Sequence, residues 1–418
     1  MREIADGVVD RDGVTGLASR LGYSTRQLNR LLSAELGASA LELARAQRAH
    51  TARLLLELTS LQAGEVAFAA GFGSIRQFND TVRTVFGETP QRLRARRSET
   101  KAPGGDPGDH PGGGTVSLRL PFRPPFAAAQ LFGFLAARAA PGIEAGDGRS
   151  YVRSLSLPGG AAIVRLDAPH PGDDFLRATL KLQDMRDVTT TVKRLRQLCD
   201  LDCDPIAVAE VLSVGGLLTR AVSLEPGVRI PGHVDGAELA LRAVMGQQVS
   251  VAAARRAAAR LAAEHGPPLG PLADAESGVV RCFPPAQALA GLSPHDLPMP
   301  ASRASALLRL AGALAEGTIR LTPGVDRQQV SAKLLAMPGI GPWTVSYVRM
   351  RALCDPDAFL PSDLGLRRAL EGAELPSDPR SVERLAEQWR PYRSYALQYL
   401  WSAPALSQDS GPYRRKVA

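Results

Sequence analysis

Between Glu99 and Thr115 the sequence reads Glu-Thr-Lys-Ala-Pro-Gly-Gly-Asp-Pro-Gly-Asp-His-Pro-Gly-Gly-Gly-Thr. Little in it could be buried, and Pro and Gly at this density forbid a helix or a central strand. A chain of 418 residues interrupted in this way is not expected to fold around one core. We read residues 99–115 as a flexible linker with separate folding units on either side. Residues 1–98 read as helical throughout. Residues 116–199 mix strand signals (Val116–Leu120, Ala161–Leu166, Thr179–Leu182) with one helix near 127–140. Residues 200–418 return to helices separated by Pro and Gly turns. This pattern is α+β and mainly α.

Composition excludes more than it selects. There is no apolar run of about 18 residues, so no transmembrane helix is expected. The opening Met1-Arg2-Glu3-Ile4-Ala5-Asp6 has none of the order of a signal peptide, and a cytoplasmic protein is expected. The formal charge of +8 is compatible with nucleic acid, but solubility alone would explain it. Four Cys, at 199, 203, 282 and 354, form no Cys-x-x-Cys pair, so a structural zinc or iron–sulfur site is not expected.

The first block repeats one plan twice. Leu17-Ala18-Ser19-Arg20-Leu21-Gly22-Tyr23-Ser24 is a short helix, a Gly turn and a new helix start. Val66-Ala67-Phe68-Ala69-Ala70-Gly71-Phe72-Gly73-Ser74 repeats it. Gly supplies each turn, and Ser24 or Ser74 can cap the helix that follows. The second helices present Arg26, Gln27, Asn29 and Arg30, then Arg76, Gln77 and Asn79. These are side-chain types that contact guanine or adenine edges in the major groove. An ordinary solvated helix face would look similar, but two such units joined by a helix (Glu42 to Leu58) weaken that reading.

Residues 11–94 resemble the AraC-type DNA-binding domain, carried by Ala67-Phe68-Ala69-Ala70-Gly71-Phe72, Gln77-Phe78-Asn79 and Phe86-Gly87-Glu88-Thr89-Pro90. The resemblance is greatest to regulators of the bacterial adaptive response to alkylation. Those carry a zinc-bound Cys domain that accepts methyl groups. This sequence has no Cys before position 199, so methyl transfer of that kind is not expected of it.

The sharpest local motif of the last block is Leu335-Ala336-Met337-Pro338-Gly339-Ile340-Gly341-Pro342-Trp343-Thr344. A helix ends near Pro338, Gly-Ile-Gly makes a tight hairpin, and a helix begins near Pro342. Amides at Gly339, Gly341 and Thr344 can bind a DNA phosphate without reading sequence. Hairpin carbonyls (Leu335, Met337, Ile340) can hold a monovalent cation, Na+ or K+. A packing turn is the plainer reading of Gly-x-Gly alone. Asp363 lies twenty residues past Trp343, after Pro361-Ser362, and by itself reads as a helix N-cap.

The hairpin followed by this Asp resembles the helix-hairpin-helix glycosylase superfamily. Residues 116–405 resemble its inducible bacterial 3-methyladenine DNA glycosylase II family. Phe132-Gly133-Phe134-Leu135-Ala136-Ala137-Arg138-Ala139, Arg242-Ala243-Val244-Met245-Gly246-Gln247-Gln248-Val249-Ser250 and Trp389-Arg390-Pro391-Tyr392-Arg393-Ser394-Tyr395-Ala396-Leu397 carry it, with the hairpin. The resemblance implies a mixed N-terminal subdomain beside a helical core, with the site in a cleft between helical layers. It implies Asp363 as the catalytic carboxylate and Phe134, Trp343, Tyr347 and Trp401 as the base pocket. Gln247 is also assigned to substrate binding. Two positions depart from the family. Gln248 stands where a Leu fills the hole left by the flipped base, and Leu364 where the pocket has a Tyr. Trp343 occupies the position that is a Schiff-base Lys in strand-nicking relatives, which implies a monofunctional enzyme.

The reading is therefore a base-excision enzyme fused to a DNA-binding regulator. It is expected to need no cofactor, to act on damaged double-stranded DNA and on a promoter operator, to stay out of membranes, and to be a monomer. Two alternatives remain: a regulator whose glycosylase half is an inactive DNA-binding module, and a first block that is only a non-specific DNA tether.

Overall fold

The computed structural model describes residues 2–5, 7–59, 61–95, 113–297 and 299–402. The linker read at 99–115 falls outside the described residues except for its last three, of which Gly114 and Thr115 open a strand. The chain divides into two compact units. One comprises residues 1–120, 155–166 and 177–193, the other 121–154, 167–176 and 194–418.

In the first unit, α1 (Arg2–Ala5) and α2 (Val8–Arg20) precede the first Gly turn, where Gly22 takes φ 73°. Ser24 then caps α3 (Thr25–Leu36), and the Gln27 side chain reciprocates by accepting from the Ser24 amide at 3.1 Å. The long α4 (Ala40–Leu58) runs through the middle. Its Ala40, Ala44, Ala49 and Ala52 are all fully buried, because small side chains let neighbouring helices approach. The plan repeats with α5 (Ala63–Ala69), Gly71 at φ 83°, and Ser74 capping α6 (Ile75–Phe86), before α7 (Pro90–Ala95). The twofold helix-turn-helix pattern is present as expected.

Five strands follow: β1 (Gly114–Pro121), β2 (Glu144–Gly146), β3 (Ser150–Leu157), β4 (Gly160–Asp167) and β5 (Phe175–Leu182). They form one sheet in the order β1-β5-β4-β3-β2. The three strand signals fall in β1, β4 and β5. The sequence did not announce β3, which is buried on both faces from Tyr151 to Leu155 and so shows no alternation. Its Arg153 and Ser154 are buried polar residues that hide an apolar run. Strand β2 pairs with it antiparallel, Glu144 opposite Arg153.

Helix α8 (Ala128–Arg138) confirms the helix expected near 127–140. After α9 (Val188–Leu198) come α10 (Pro205–Leu212), α11 (Thr219–Leu224), α12 (Gly236–Met245), α13 (Val251–His265), α14 (Ala286–Ala290), α15 (Ala301–Ala315), α16 (Arg327–Leu335), α17 (Pro342–Ala352), α18 (Leu364–Gly372), α19 (Pro379–Ala386) and α20 (Arg393–Trp401). The second unit holds two apolar clusters. One gathers α12, α13, α15, α16 and the buried side of α17. The other gathers α10, α11, α18, α19 and α20 with Met350 of α17. Tyr347 packs against both, so α17 stands between two helical layers, where the cleft was expected. Among the described residues no helix is long and apolar enough to cross a membrane.

Candidate active site

Helix α17 starts from the hairpin. Gly339 takes φ 89°, and a Cβ there would come within 2.7 Å of the Ala306 Cβ, so the position needs both the left-handed backbone and the missing side chain. Gly341 is the N-cap of α17 and Pro342 fills its first turn. A Cβ at Gly341 would meet no neighbour within 4 Å.

Asp363 is the N-cap of α18, as its local sequence indicates, and its Oδ1 accepts from the Leu366 amide at 3.0 Å. That cap fixes the carboxylate, and two indoles then take hold of it. Trp343 Nε1 donates to Oδ2 at 2.9 Å, and Trp401 Nε1 donates to Oδ1 at 2.9 Å. Three separate elements thus converge on one carboxylate: α17, the start of α18 and the end of α20. Three donors on two oxygens fix its orientation. Gly365 makes this possible, because a Cβ there would lie 3.1 Å from Asp363 Oδ1 and 3.4 Å from Trp401 Cδ1.

The aromatic set is assembled around this point. Trp343 stacks on Tyr347, one helical turn on, with centroids 5.1 Å apart and planes 10° from parallel. The Tyr347 hydroxyl accepts from Arg351 Nη1 at 2.6 Å. Burial pushes the Tyr347 hydroxyl pKa up, but the charges of Arg351 and Arg138 outweigh it and lower the value. Phe134, on α8, is half-buried and carries the Arg138 guanidinium 3.7 Å from its ring centroid, with Arg351 at 4.9 Å. Arg351 is itself anchored on the carbonyls of Pro231 and Gly232. Burial lowers the Arg138 pKa.

Sequence reasoning did not single out Arg138, Arg351, Gly365 or the Leu366 amide. Arg138 had one signal, its position four residues after Phe134 on one helix face. Phe134 is therefore already engaged by two cations, Arg138 and Arg351. Leu364, the first residue of α18, is 56 % exposed.

Gln247 does not point at the pocket as a free side chain. Its Nε2 donates to the Gly339 carbonyl and to Thr344 Oγ1, both at 3.0 Å. Thr344 is correspondingly buried. Gln248 is exposed at the tip of the same loop, with φ 55°. Of the carbonyls expected to hold a cation, that of Met337 accepts from the Ile340 amide at 3.1 Å. Trp389 is buried in the core against Phe359.

On the helix-turn-helix surface Arg26, Arg30 and Arg76 are exposed. Gln27 is exposed but engaged in capping, Gln77 accepts from the Gly73 amide at 3.3 Å, and Asn29 accepts from the Ala40 amide at 3.1 Å. Asn79 is half-buried. The arginines are thus the readiest contacts, and Asn29 ties α3 to α4.

Among the described residues one cluster has the composition of a metal site, Glu144, His233 and Glu238, all buried. Arg153 and Arg242 ion-pair with both carboxylates, at 2.8 to 3.1 Å. The two negative charges are already balanced, and the cluster is a buried ion network that staples β2, β3 and α12.

The AlkA N-terminal domain family matches residues 117–235, and a helix-turn-helix domain family matches residues 17–96. The chain is 48% identical over 421 aligned positions to a probable bifunctional transcriptional activator/DNA repair enzyme AlkA of Mycobacterium tuberculosis, covering 100% of this chain and 82% of that protein. It is 35% identical over 293 positions to DNA-3-methyladenine glycosylase 2 of Escherichia coli, covering 69% of this chain and 98% of the relative. Among solved structures, a 3-methyladenine DNA-glycosylase from Archaeoglobus fulgidus aligns with TM-score 0.55 at 18% identity, over 68% of this chain and 96% of that one. An 8-oxoguanine glycosylase/lyase from Clostridium acetobutylicum aligns with TM-score 0.53 at 15% identity, over 69% and 95%. These two share the fold.

Proposed function

The chain belongs to the AlkA family of DNA-3-methyladenine glycosylases, in the form joined to an AraC-type helix-turn-helix region, and from that premise we propose that it flips alkylated bases out of duplex DNA, excises them and leaves an abasic site. The observation that carries this reading is the carboxylate of Asp363, gripped by two indole N–H groups and a backbone amide in an aromatic cleft.

A base within a duplex must be extruded before a pocket can reach it. A purine alkylated at N3 or N7 is positively charged and leaves with the glycosidic electron pair as a neutral base, so little acid catalysis is needed. The sugar becomes oxocarbenium-like. Asp363 stabilises that charge and accepts a proton from the water that adds at the sugar carbon. Trp343 and Trp401 hold the carboxylate still through this step. With Trp343 at the Schiff-base position the strand is not nicked. Trp343, Tyr347, Trp401 and Phe134 form the pocket, with Leu364 at its rim, and Arg138 makes the Phe134 end cationic.

Amides of Gly339, Gly341 and Thr344 bind a phosphate, and Gln248 enters the gap left by the flipped base. The Met337 carbonyl accepts from the Ile340 amide, and the Leu335, Met337 and Ile340 carbonyls would be the ligands of a Na+ or K+, which would add positive charge beside the phosphate. No other cofactor is required. The Arg26, Arg30 and Arg76 surfaces, with Gln27, Asn29, Gln77 and Asn79, bind a promoter operator. The protein works as a cytoplasmic monomer.

The test is release of 3-methyladenine and 7-methylguanine from methylated duplex DNA. Release no greater than that of Asp363→Asn sinks the enzyme reading and leaves a DNA-binding regulator. Gel shifts on the gene's own promoter, with and without residues 1–98, test regulation. Equal affinity for unrelated DNA would reduce the first block to a tether.

A further inference from the structure

Gly246-Gln247-Gln248-Val249-Ser250 joins α12 to α13. Its root is fixed. The Gly246 and Gln247 amides still bond back into α12, and Ser250 caps α13 by accepting from the Ala253 amide at 3.2 Å. The Gln247 side chain ties the loop to the hairpin at Gly339 and Thr344. Its tip is different. Gln248 holds a left-handed backbone, φ 55°, a conformation that costs a non-glycine residue free energy. Its carboxamide is exposed and has no polar partner among the described residues. Val249 and Val251 beside it are apolar and exposed.

We propose that Gln248 is a specificity-determining residue that reads the Watson–Crick edge of the base left opposite the lesion, so that excision depends on the undamaged strand. This rests on the base-flipping reading above, in which this loop enters the duplex.

The chemistry of the side chain carries the argument. An apolar wedge asks nothing of the space it fills. A carboxamide that leaves water must replace hydrogen bonds on both its oxygen and its nitrogen, and an unmade buried bond costs roughly tenfold or more in an equilibrium constant. Inside a base stack the neighbours above and below offer only π faces. The polar atoms within reach lie on the edge of the base whose partner has left. A carboxamide carries a donor and an acceptor side by side, and a pyrimidine edge does too: N3–H with a carbonyl in thymine, N3 with the amino group in cytosine. Two hydrogen bonds can therefore form in the space vacated by a purine lesion. Gln247 keeps the tip in register with the phosphate-binding hairpin while they do.

The test is single-turnover release of 7-methylguanine from a duplex with cytosine opposite, and from one with an apolar pyrimidine isostere opposite. For the wild-type protein the rate is expected to fall about tenfold on the isostere, the loss of paired hydrogen bonds. Gln248→Leu and Gln248→Gly, the second free of any backbone strain, are expected to fall less than about threefold. An equal fall in wild type and variants, or no fall in wild type, overturns this inference and leaves the glycosylase reading intact. No release by the wild type from either duplex overturns both.

Discussion

Replacing Arg153 by Met tests whether the buried ion network supports the site. Arg153 is 1% exposed, Glu144 5% and Glu238 7%. Arg153 Nη1 lies 3.1 Å from Glu144 and its Nη2 2.8 Å from Glu238, while Arg242 Nη1 is 2.9 Å from each carboxylate. Burial would raise the Glu144 pKa, but Arg242 and Arg153 outweigh it and hold the carboxyl far below its ordinary range. Two glutamates and two arginines sum to zero charge. Removing Arg153 leaves one uncompensated buried negative charge, which costs about 3–5 kcal/mol. The pairs are buried, so screening does not reduce this figure.

The loss should also depend on pH. His233 is driven well below its ordinary 6.5 by burial first and then by Arg153 and Arg242. In the wild type only the unfolded chain takes that proton, so stability is full above about 6.5 and falls as pH falls. Without Arg153, His233 takes up a proton more readily and restores the charge balance. The difference between Arg153→Met and wild type should therefore shrink from about pH 8 to about pH 6. Urea denaturation at both pH values measures it. Adding Glu238→Gln to Arg153→Met, which returns the net charge to zero, should recover about 1 kcal/mol or more beyond additivity. A loss under about 1 kcal/mol, strict additivity and no pH dependence would together refute the argument.

Other outcomes follow from the site. Gly365→Ala places a methyl 3.1 Å from Asp363 Oδ1 and should lower base release at least about tenfold while shifting the melting temperature little; normal release would show that the indole–carboxylate geometry is slack. Borohydride added during turnover should trap no protein–DNA adduct, since Trp343 offers no amine; a trapped adduct would point to a lyase. Burial raises the Asp200 pKa from 3.8 to about 6, against the Ile230 amide and Tyr395 hydroxyl that stabilise its charge. The folded state thus binds this proton more tightly, and about 3 kcal/mol of stability is lost as pH rises from about 4 through about 6. Asp200→Asn should flatten that part of the stability profile, and an unchanged slope would assign it elsewhere.

Much of this protein was legible because the decisive signals are local. A Gly turn followed by Ser24 or Ser74 fixes where a helix ends and the next begins, whatever surrounds it. Pro338-Gly339-Ile340-Gly341-Pro342 does the same for the hairpin, since backbone conformation there belongs to a few residues. Asp363 as an N-cap was equally local. That it receives N–H groups from residues 20 and 38 positions away was not, because only packing of α17 and α20 brings those indoles to it.

The resemblance supplied the aromatic positions, while the contacts of Arg138 and Arg351 on Phe134 emerged only in the folded chain. Arg153 in β3 shows why some elements stayed hidden. A buried arginine reads as a surface residue in sequence and becomes tolerable only beside two carboxylates, one on the neighbouring strand and one on α12. Gln247 was assigned to the substrate, and the structure spends its amide on the hairpin. The sequence alone thus determined turns, caps and periodicity, which depend on a residue and its near neighbours. Tertiary structure decided which polar groups meet across the cleft, because burial makes a charge or a carboxamide viable only where distant chain segments supply its partner.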